Sequence, residues 1–338
     1  MILNKFNLLL IMKELTTKNL FKKSNFKVCF VKLSMILSLI YIINGCERII
    51  DFPIKSDELK VVMNSLINTD SVILINLSKS IGILDTGNIP YVQNGIVTLY
   101  ENNSAVGSMT YLGKGFYSSG NLIPKTNTEY KVSVNVPNEK EVTAFCIIPN
   151  QVPIISIDTV LNLKNNDYYY QNYTYDLILT IDDPPGIYNF YELILFQKTM
   201  NIYEDTTFNF NQRNFFTDDP IIEYYRLEND LYSLNLNLET EKNNVSAAYF
   251  SDKLTDGKKF PVRITLENWN LNGMYYICLR SLTKDYYLYL TSLAQYSMAY
   301  GNPFSERVQI YSNIHNGLGI FGGYSSSKDS VNINLFSY

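Results

Sequence analysis

The chain has 338 residues, of which 46% are hydrophobic and 18% are charged, and it contains 28 tyrosines, 18 phenylalanines and one histidine. The apolar fraction excludes a disordered chain, and the length predicts two domains with separate cores. A single histidine excludes a histidine-rich metal site, and the net charge of −4 argues against nucleic-acid binding, which needs a basic surface.

The first 45 residues differ in charge from the rest of the chain. They contain seven lysines and one glutamate, a net charge of +6, so the later residues, with 21 basic and 31 acidic side chains, carry −10. An apolar run over residues 33–43 follows Lys32 and leads into Asn44-Gly45-Cys46. A basic region, a short apolar run and a small residue before the cut are typical of a secretory signal peptide.

The cysteine after this small residue resembles the lipoprotein box of bacteria, in which it becomes the lipidated first residue of the mature protein. We therefore predict a signal peptide over residues 1–45, acylation of Cys46 and an N-terminal tether over residues 46–58. Several acyl chains, at about 0.8 kcal/mol per buried CH₂, would hold the protein on a bilayer permanently. The alternative is an ordinary N-terminal anchor helix, although a comfortable span needs about 20 apolar residues.

From residue 59 the hydrophobic pattern has a period of two, which is typical of half-buried strands. Turn residues such as Asn68-Thr69-Asp70 and Glu101-Asn102-Asn103 separate the strands, and no helical pattern interrupts them. The predicted strands cover residues 59–67, 72–77, 96–100, 106–112, 115–118, 130–136 and 142–148. Seven short strands in this order predict an all-β sandwich over residues 59–149.

Pro149 and Pro153 enclose a short, stiff linker, where we place the boundary to a second domain over residues 150–338. This domain is predicted to be β-rich with one helix, capped by Thr283 and located near residues 283–296. The helix is expected to turn Tyr286, Tyr287, Leu290, Leu293 and Ala294 inward. The predicted strands cover residues 173–181, 189–196, 221–227, 231–238, 260–267 and 273–282, and the glycine-rich tail is expected to be a loop before a last strand at 331–336.

Three features that resemble catalytic or ligand-binding motifs have simpler explanations. The segment Gly317-Leu318-Gly319-Ile320-Phe321-Gly322 matches G-x-G-x-x-G, but no helix is predicted after it, so we interpret it as a tight or flexible loop. His315 lacks a partner nucleophile motif of the G-x-S-x-G type. The pairs Asp182-Asp183 and Asp218-Asp219 offer calcium ligands, yet each precedes a proline, which favours turns. We therefore predict no enzyme, no metal and no cofactor.

Runs of adjacent tyrosines cannot all point into a core, because neighbouring residues on a strand face opposite sides. Some are therefore expected to contact a partner or ligand. The predicted contacts are Tyr168, Tyr169, Tyr170, Tyr224, Tyr225 and His315. Four short motifs of the Asp-Ser/Thr type resemble the O-glycosylation acceptor of exported Bacteroidota proteins, with acceptors Ser71, Thr159, Thr206 and Ser330. Cys146 and Cys278 lie in separate apolar runs, either as one disulfide or as two buried thiols, which suits their surroundings better.

Several segments, taken in order, carry a family resemblance. They are Cys46–Phe52, Leu59–Ile67, Val92–Leu99, Gly115–Tyr117, Asp182–Pro184, Asn189–Tyr191, Phe250–Asp252, Asp256–Lys258, Ser281-Leu282, Tyr286–Tyr289, Gly301–Phe304 and Tyr311–Gly323. Together they resemble the DUF4249 family of predicted outer-membrane lipoproteins of Bacteroidota. The resemblance covers almost the whole chain after the signal peptide.

The resemblance implies an N-terminal Ig-like or carboxypeptidase-regulatory-like β-sandwich followed by a second β-rich domain. Relatives tend to be encoded beside TonB-dependent receptors, which implies a lipoprotein that assists an outer-membrane transporter. No catalytic residues are carried over. We therefore expect a non-enzymatic protein held in the outer membrane through Cys46, at the cell surface rather than on the periplasmic face, with a TonB-dependent β-barrel receptor as partner. The alternative function is a structural or adhesive surface module.

Overall fold

The computed structural model describes residues 59–82, 85, 87–164, 172–200, 208–229, 244–267, 272–300, 305–306 and 308–334. The predicted signal peptide, Cys46 and tether lie outside these residues. So do Tyr168, Tyr169, Tyr170, Thr206 and the predicted strand at 231–238. Within the described part of the chain, no helix is long and apolar enough to cross a membrane.

The described chain is mainly β, as the alternating pattern predicts. Its first eight strands are β1 Val61–Asn68, β2 Leu74–Lys79, β3 Ile96–Glu101, β4 Ser104–Ser108, β5 Thr110–Gly113, β6 Phe116–Ser118, β7 Glu129–Asn135 and β8 Val142–Ile147. The later strands are β9 Ile154–Lys164, β10 Asn172–Asp182, β11 Phe190–Met200, β12 Phe208–Arg213, β13 Phe215–Phe216, β14 Asn244–Val245, β15 Ala247–Ser251, β16 Lys259–Glu267, β17 Gly273–Leu282 and β18 Leu318–Ile333. The helices are α1 Pro220–Glu228, α2 Lys284–Ala299 and a 3₁₀ turn at Asp252–Leu254.

The strands form three sheets around two hydrophobic cores. A nine-stranded sheet has the order β12-β11-β17-β18-β1-β2-β6-β5, with β15 also paired to β11. A four-stranded sheet, β4-β3-β7-β8, encloses the N-terminal core, which includes Met63, Tyr117, Tyr130 and Phe321. A five-stranded sheet, β14-β13-β16-β10-β9, belongs to the second core. The nine-stranded sheet thus contributes strands to both sandwiches. The domain boundary at residue 149 stays a prediction.

The predicted strand at 106–112 is two strands, because the chain changes sheets within it. β4 pairs with β3 in the four-stranded sheet, whereas β5 pairs with β6 in the nine-stranded sheet. Met109 lies between them, with its side chain in the N-terminal core and its backbone N–H donated to the Val97 carbonyl at 2.8 Å. A period-two pattern continues unbroken through such a switch, so alternation alone does not reveal it.

In the glycine-rich tail, residues 308–317 are loop-like as predicted apart from an isolated bridge at His315, but the last strand is not confined to residues 331–336. Strand β18 runs from Leu318 to Ile333, pairing in parallel with β1 and antiparallel with β17. Gly319 has φ +107°, and a Cβ there would lie 2.2 Å from the Met63 carbonyl oxygen. A Cβ at Gly322 would lie 2.7 Å from the Cβ of Tyr286 on α2. The glycines therefore allow close approach of backbone and helix, not phosphate binding.

The predicted strand at 221–227 is also wrong, because these residues form helix α1. Asp219 caps the helix by accepting the Ile221 N–H at 3.0 Å, and Pro220 occupies its first turn. An Asp-Pro pair therefore begins a helix here, instead of making only the turn that the sequence analysis favoured. The second half of the chain has two helices among its described residues, one more than predicted.

Helix α2 begins as predicted but extends to Ala299, and Leu293 and Ala294, two of its five predicted inward residues, are only half-buried. Thr283 is its N-cap and accepts the Tyr286 N–H at 3.3 Å. Tyr287 is buried, and Tyr286 and Leu290 are half-buried against the second core. Cys146 and Cys278 are both buried free thiols, which decides between the two alternatives that the sequence left open. Burial raises the pKa of both thiols, so they behave as small hydrophobic side chains.

Candidate functional site

Two segments that cross between sheets lie side by side at one end of the second sandwich. Residues 183–189 lead from β10 to β11, and residues 252–258 lead from β15 to β16. Each segment donates a glycine amide to an aspartate of the other. The Gly186 N–H donates to Asp256 Oδ1 at 2.8 Å, and the Gly257 N–H donates to Asp183 Oδ2 at 2.9 Å. These reciprocal bonds hold the two segments together.

The contact between the segments is close enough to require glycine at one position. Gly257 has φ +67°, and a Cβ there would lie 2.7 Å from the Cβ of Pro185. The Lys258 carbonyl also accepts the Asp183 N–H at 3.3 Å. The pair Asp256-Gly257 therefore lies in a turn, and its glycine lets the second segment pack closely against the first.

Three carboxylates converge at this contact. One oxygen from each of Asp183, Asp252 and Asp256 can be chosen so that all lie within 4.8 Å of one another. Asp183 and Asp252 are buried, with 3% and 0% of their surface exposed, whereas Asp256 lies at the surface. We refer to Asp183, Asp252 and Asp256 as the carboxylate cluster.

Polar side chains from β11 and the loop before it fix the buried carboxylates. The Asn189 backbone N–H donates to Asp252 Oδ2 at 2.7 Å, and its side-chain amide donates to the same oxygen at 3.2 Å and to Asp183 Oδ1 at 3.4 Å. The Tyr191 hydroxyl also donates to Asp183 Oδ1. The arrangement is rigid, because Asn189 and Tyr191 are themselves buried.

The three carboxylates lie close together without a cationic side chain paired to them among the described residues. Burial, assisted by the charges of Asp183 and Asp256, raises the pKa of Asp252 to about 6. Burial likewise raises the pKa of Asp183, and the charge of Asp256 acts in the same direction. Among the described residues, no lysine or arginine forms an ion pair with any of the three.

Only Asp183 of this cluster was considered from sequence. Its neighbour Asp182 points away and lies 3.6 Å from the Lys259 ammonium, as expected for adjacent residues on an extended chain. Asp218 and Asp219 do not join the cluster: Asp218 pairs with Arg263 at 3.3 Å, and Asp219 caps α1. Sequence reasoning did not assign Asp252 and Asp256 to a site, although both lie in segments that resemble the family.

The structure corrects the predicted role of one tyrosine and places two other predicted contacts. Tyr225 is 4% exposed and packs against Tyr249 and Tyr287 in the core, so it offers no surface to a partner. Tyr224 is half-buried, with the Lys253 ammonium 5.6 Å from its ring centre. His315 is exposed, and its backbone N–H donates to the Thr143 carbonyl at 2.8 Å.

The three glycosylation acceptors within the described residues are accessible. Ser71, Thr159 and Ser330 are all exposed. Ser71 lies in the turn after β1, while Thr159 and Ser330 lie on β9 and β18. Exposure is necessary for modification but does not establish it, so glycosylation stays a prediction.

An apolar surface that the sequence analysis did not identify lies on the outside of the four-stranded sheet. Phe145 and Ile147 on β8 are 61% and 50% exposed, and being two residues apart on one strand they face the same side of the sheet. Ile96 on β3 is 63% exposed but pairs with Asn135, four positions along β7 from the partner of Phe145. Phe145 is paired in register with Lys131 on the middle strand β7. We call Phe145 and Ile147 the outer apolar face. Aromatic and aliphatic side chains exposed in this way are enriched at protein interfaces.

Comparison with known proteins identifies one family and distant structural neighbours. One of these neighbours is a Corynebacterium diphtheriae protein described as a predicted membrane-anchored protein, with 12% identity and a TM-score of 0.20. The match covers 78% of this chain and 60% of that protein, and it is too weak to carry an argument. None of the curated proteins matches this sequence significantly. The profile of DUF4249, a domain of unknown function, matches residues 47–330. The chain therefore belongs to the DUF4249 family.

Proposed function

We propose that this protein is a non-enzymatic lipoprotein of the outer membrane that binds a TonB-dependent transporter or the ligand of that transporter. The observation that carries the proposal is the basic segment and apolar run that end at Gly45-Cys46. Acylation of Cys46 would place the β-rich chain at a membrane surface without a spanning helix. Cell-surface exposure is part of the proposal, because a surface lipoprotein can meet an extracellular ligand before the transporter does.

The outer apolar face supports a binding function. Its side chains lie on a rigid, hydrogen-bonded sheet, so that docking against a partner would immobilise few flexible groups. Lys131 lies beside Phe145 and 5.7 Å from the ring centre of Tyr100, which adds a cation and an aromatic ring to the same surface. We propose that this face contacts the transporter, and that Tyr168, Tyr169, Tyr170 and Tyr224 contribute further contacts.

Membrane attachment is tested by replacing the lipidated residue. Cys46→Ser should move the protein from the membrane fraction to the soluble fraction, and the wild-type N-terminal peptide should carry the mass of its acyl chains. Protease treatment of intact cells should degrade the wild-type protein if it faces outward. A Cys46→Ser protein that stays in the membrane would contradict the lipid anchor.

Partner binding is tested by affinity purification from native membranes. The wild-type protein should recover a β-barrel receptor, and Phe145→Glu should reduce that recovery at least about tenfold if Phe145 lies at the centre of the interface. Phe208→Glu is the matched control, because Phe208 is 53% exposed on edge strand β12 of a different sheet. Repeated recovery of the wild-type protein alone would favour the structural or adhesive alternative.

A further inference from the structure

One oxygen atom of the carboxylate cluster is buried without a hydrogen-bond partner among the described residues. Asp252 is completely buried, and its Oδ2 accepts both hydrogen bonds from Asn189. Its Oδ1 is also buried but has no hydrogen-bond partner among the described residues. Buried carboxylate oxygens in proteins accept hydrogen bonds or coordinate metal ions, because an unpaired buried charge is costly.

The segment 252–258 contains a second buried oxygen without a hydrogen-bond partner among the described residues. The Thr255 hydroxyl lies between Asp252 and Asp256 in sequence and is likewise buried without a hydrogen-bond partner in the described part of the chain. The three carboxylates provide only oxygen atoms, with no thiolate or imidazole in the cluster. Such a set suits a hard divalent cation and not zinc or copper.

We propose that Asp183, Asp252 and Asp256 bind one calcium ion, with the Asp252 Oδ1 atom as a direct ligand. Calcium–oxygen distances are about 2.3–2.6 Å, so two oxygens on the same ion lie at most about 5 Å apart. The 4.8 Å separation limit within the cluster meets this condition. Monodentate or bidentate carboxylates and water would supply the six to eight ligands that calcium takes.

Calcium fits this site better than magnesium. Magnesium needs near-ideal octahedral geometry at about 2.0–2.1 Å and retains most of its water, whereas calcium accepts irregular carboxylate sites. The bound ion would link the segments 183–189 and 252–258, which join the two sheets, so it would stabilise the folded state. This site stands apart from the proposed membrane function and would exist whether or not a transporter is the partner.

The experiment compares calcium-dependent stability and binding of the full chain in mild detergent. After treatment with EDTA, addition of about 1 mM CaCl₂ should raise the Tm by several degrees, because extracellular calcium modules bind at roughly 10⁻⁴–10⁻³ M. Isothermal titration with CaCl₂ should give one site per chain, and the same concentration of MgCl₂ should have a much smaller effect. A wild-type protein whose Tm and titration do not respond to CaCl₂ would overturn the proposal, as would equal responses to the two ions.

Asp256→Asn and Asp252→Asn test the ligands. An asparagine oxygen at position 256 can still accept the Gly186 N–H, so this surface variant should fold, with a Tm in EDTA close to that of the wild type. It should bind calcium at least about tenfold more weakly, because affinity follows the number of charged ligands. Asp252→Asn should lose the response entirely. If Asp252→Asn does not fold, Asp256→Asn decides the question alone.

Asp218→Asn is the matched control, because Asp218 is a surface aspartate like Asp256 but lies beside Arg263, outside the carboxylate cluster. It should respond to calcium as the wild type does. An Asp256→Asn protein that retains the full calcium response would show that the ion binds elsewhere and would refute this site.

Discussion

The ion pair between Glu192 and Arg280 gives the most quantitative prediction for stability. Arg280 Nη1 donates to Glu192 Oε2 at 2.8 Å, and the Tyr249 hydroxyl donates to Glu192 Oε1 at 3.0 Å. The Glu192 side chain is only 6% exposed and that of Arg280 22%. The guanidinium carbon also lies 4.4 Å from the ring centre of Tyr324. The pair is therefore largely removed from water.

Arg280→Met should leave the Glu192 charge buried with Tyr249 as its main hydrogen-bond partner. Breaking a buried pair by removing one partner costs about 3–5 kcal/mol, and the partial exposure of Arg280 places the expected cost near the lower figure. Replacing both residues, as Glu192→Met with Arg280→Met, should cost less than Arg280→Met alone, since no unpaired charge is left. Urea unfolding of the full chain in mild detergent measures each free energy of unfolding.

Arg263→Met is the control for this comparison. Arg263 pairs with Asp218 at 3.3 Å, but their side chains are 47% and 69% exposed, so its loss should change the free energy of unfolding by less than about 1 kcal/mol. The reasoning is refuted if Arg280→Met costs no more than Arg263→Met. It also fails if the double variant is less stable than Arg280→Met.

Three further predictions concern a glycine, the two buried cysteines and a helix cap. Gly319→Ala should destabilise the protein by more than about 1 kcal/mol in thermal unfolding, because its Cβ would meet a β1 carbonyl oxygen at 2.2 Å; Gly107→Ala, with positive φ but open space, should cost less. Cys146 and Cys278 should resist alkylation by iodoacetamide in the native protein and react when urea unfolds it, as measured by peptide mass. If the native protein is alkylated as fast as the protein in urea, the burial of these thiols is contradicted. Asp219→Ala should cost about 1–2 kcal/mol in urea unfolding, because it removes both the α1 cap and the acceptor of the Arg263 backbone N–H. An unchanged midpoint would show that these two hydrogen bonds contribute nothing to stability.

The sequence by itself determined most of the strands and one helix, because these depend on local patterns. Alternating apolar residues identified β7, whose inward side chains Tyr130, Val132 and Val134 are all buried. Thr283 likewise identified the start of α2, since a cap acts on the backbone amides that follow it directly. Local chemistry is sufficient when a residue's partners lie within a few positions of it.

Strand β18 and the carboxylate cluster were decided only by the tertiary structure. Glycine has no side chain to show alternation, so Gly319 and Gly322 concealed a strand that forms through close contact with β1 and α2. Asp183 and Asp252 are far apart in sequence, and they meet because the crossings from β10 to β11 and from β15 to β16 lie at the same end of one sandwich. The topology of the sheets thus decided which carboxylates share a site.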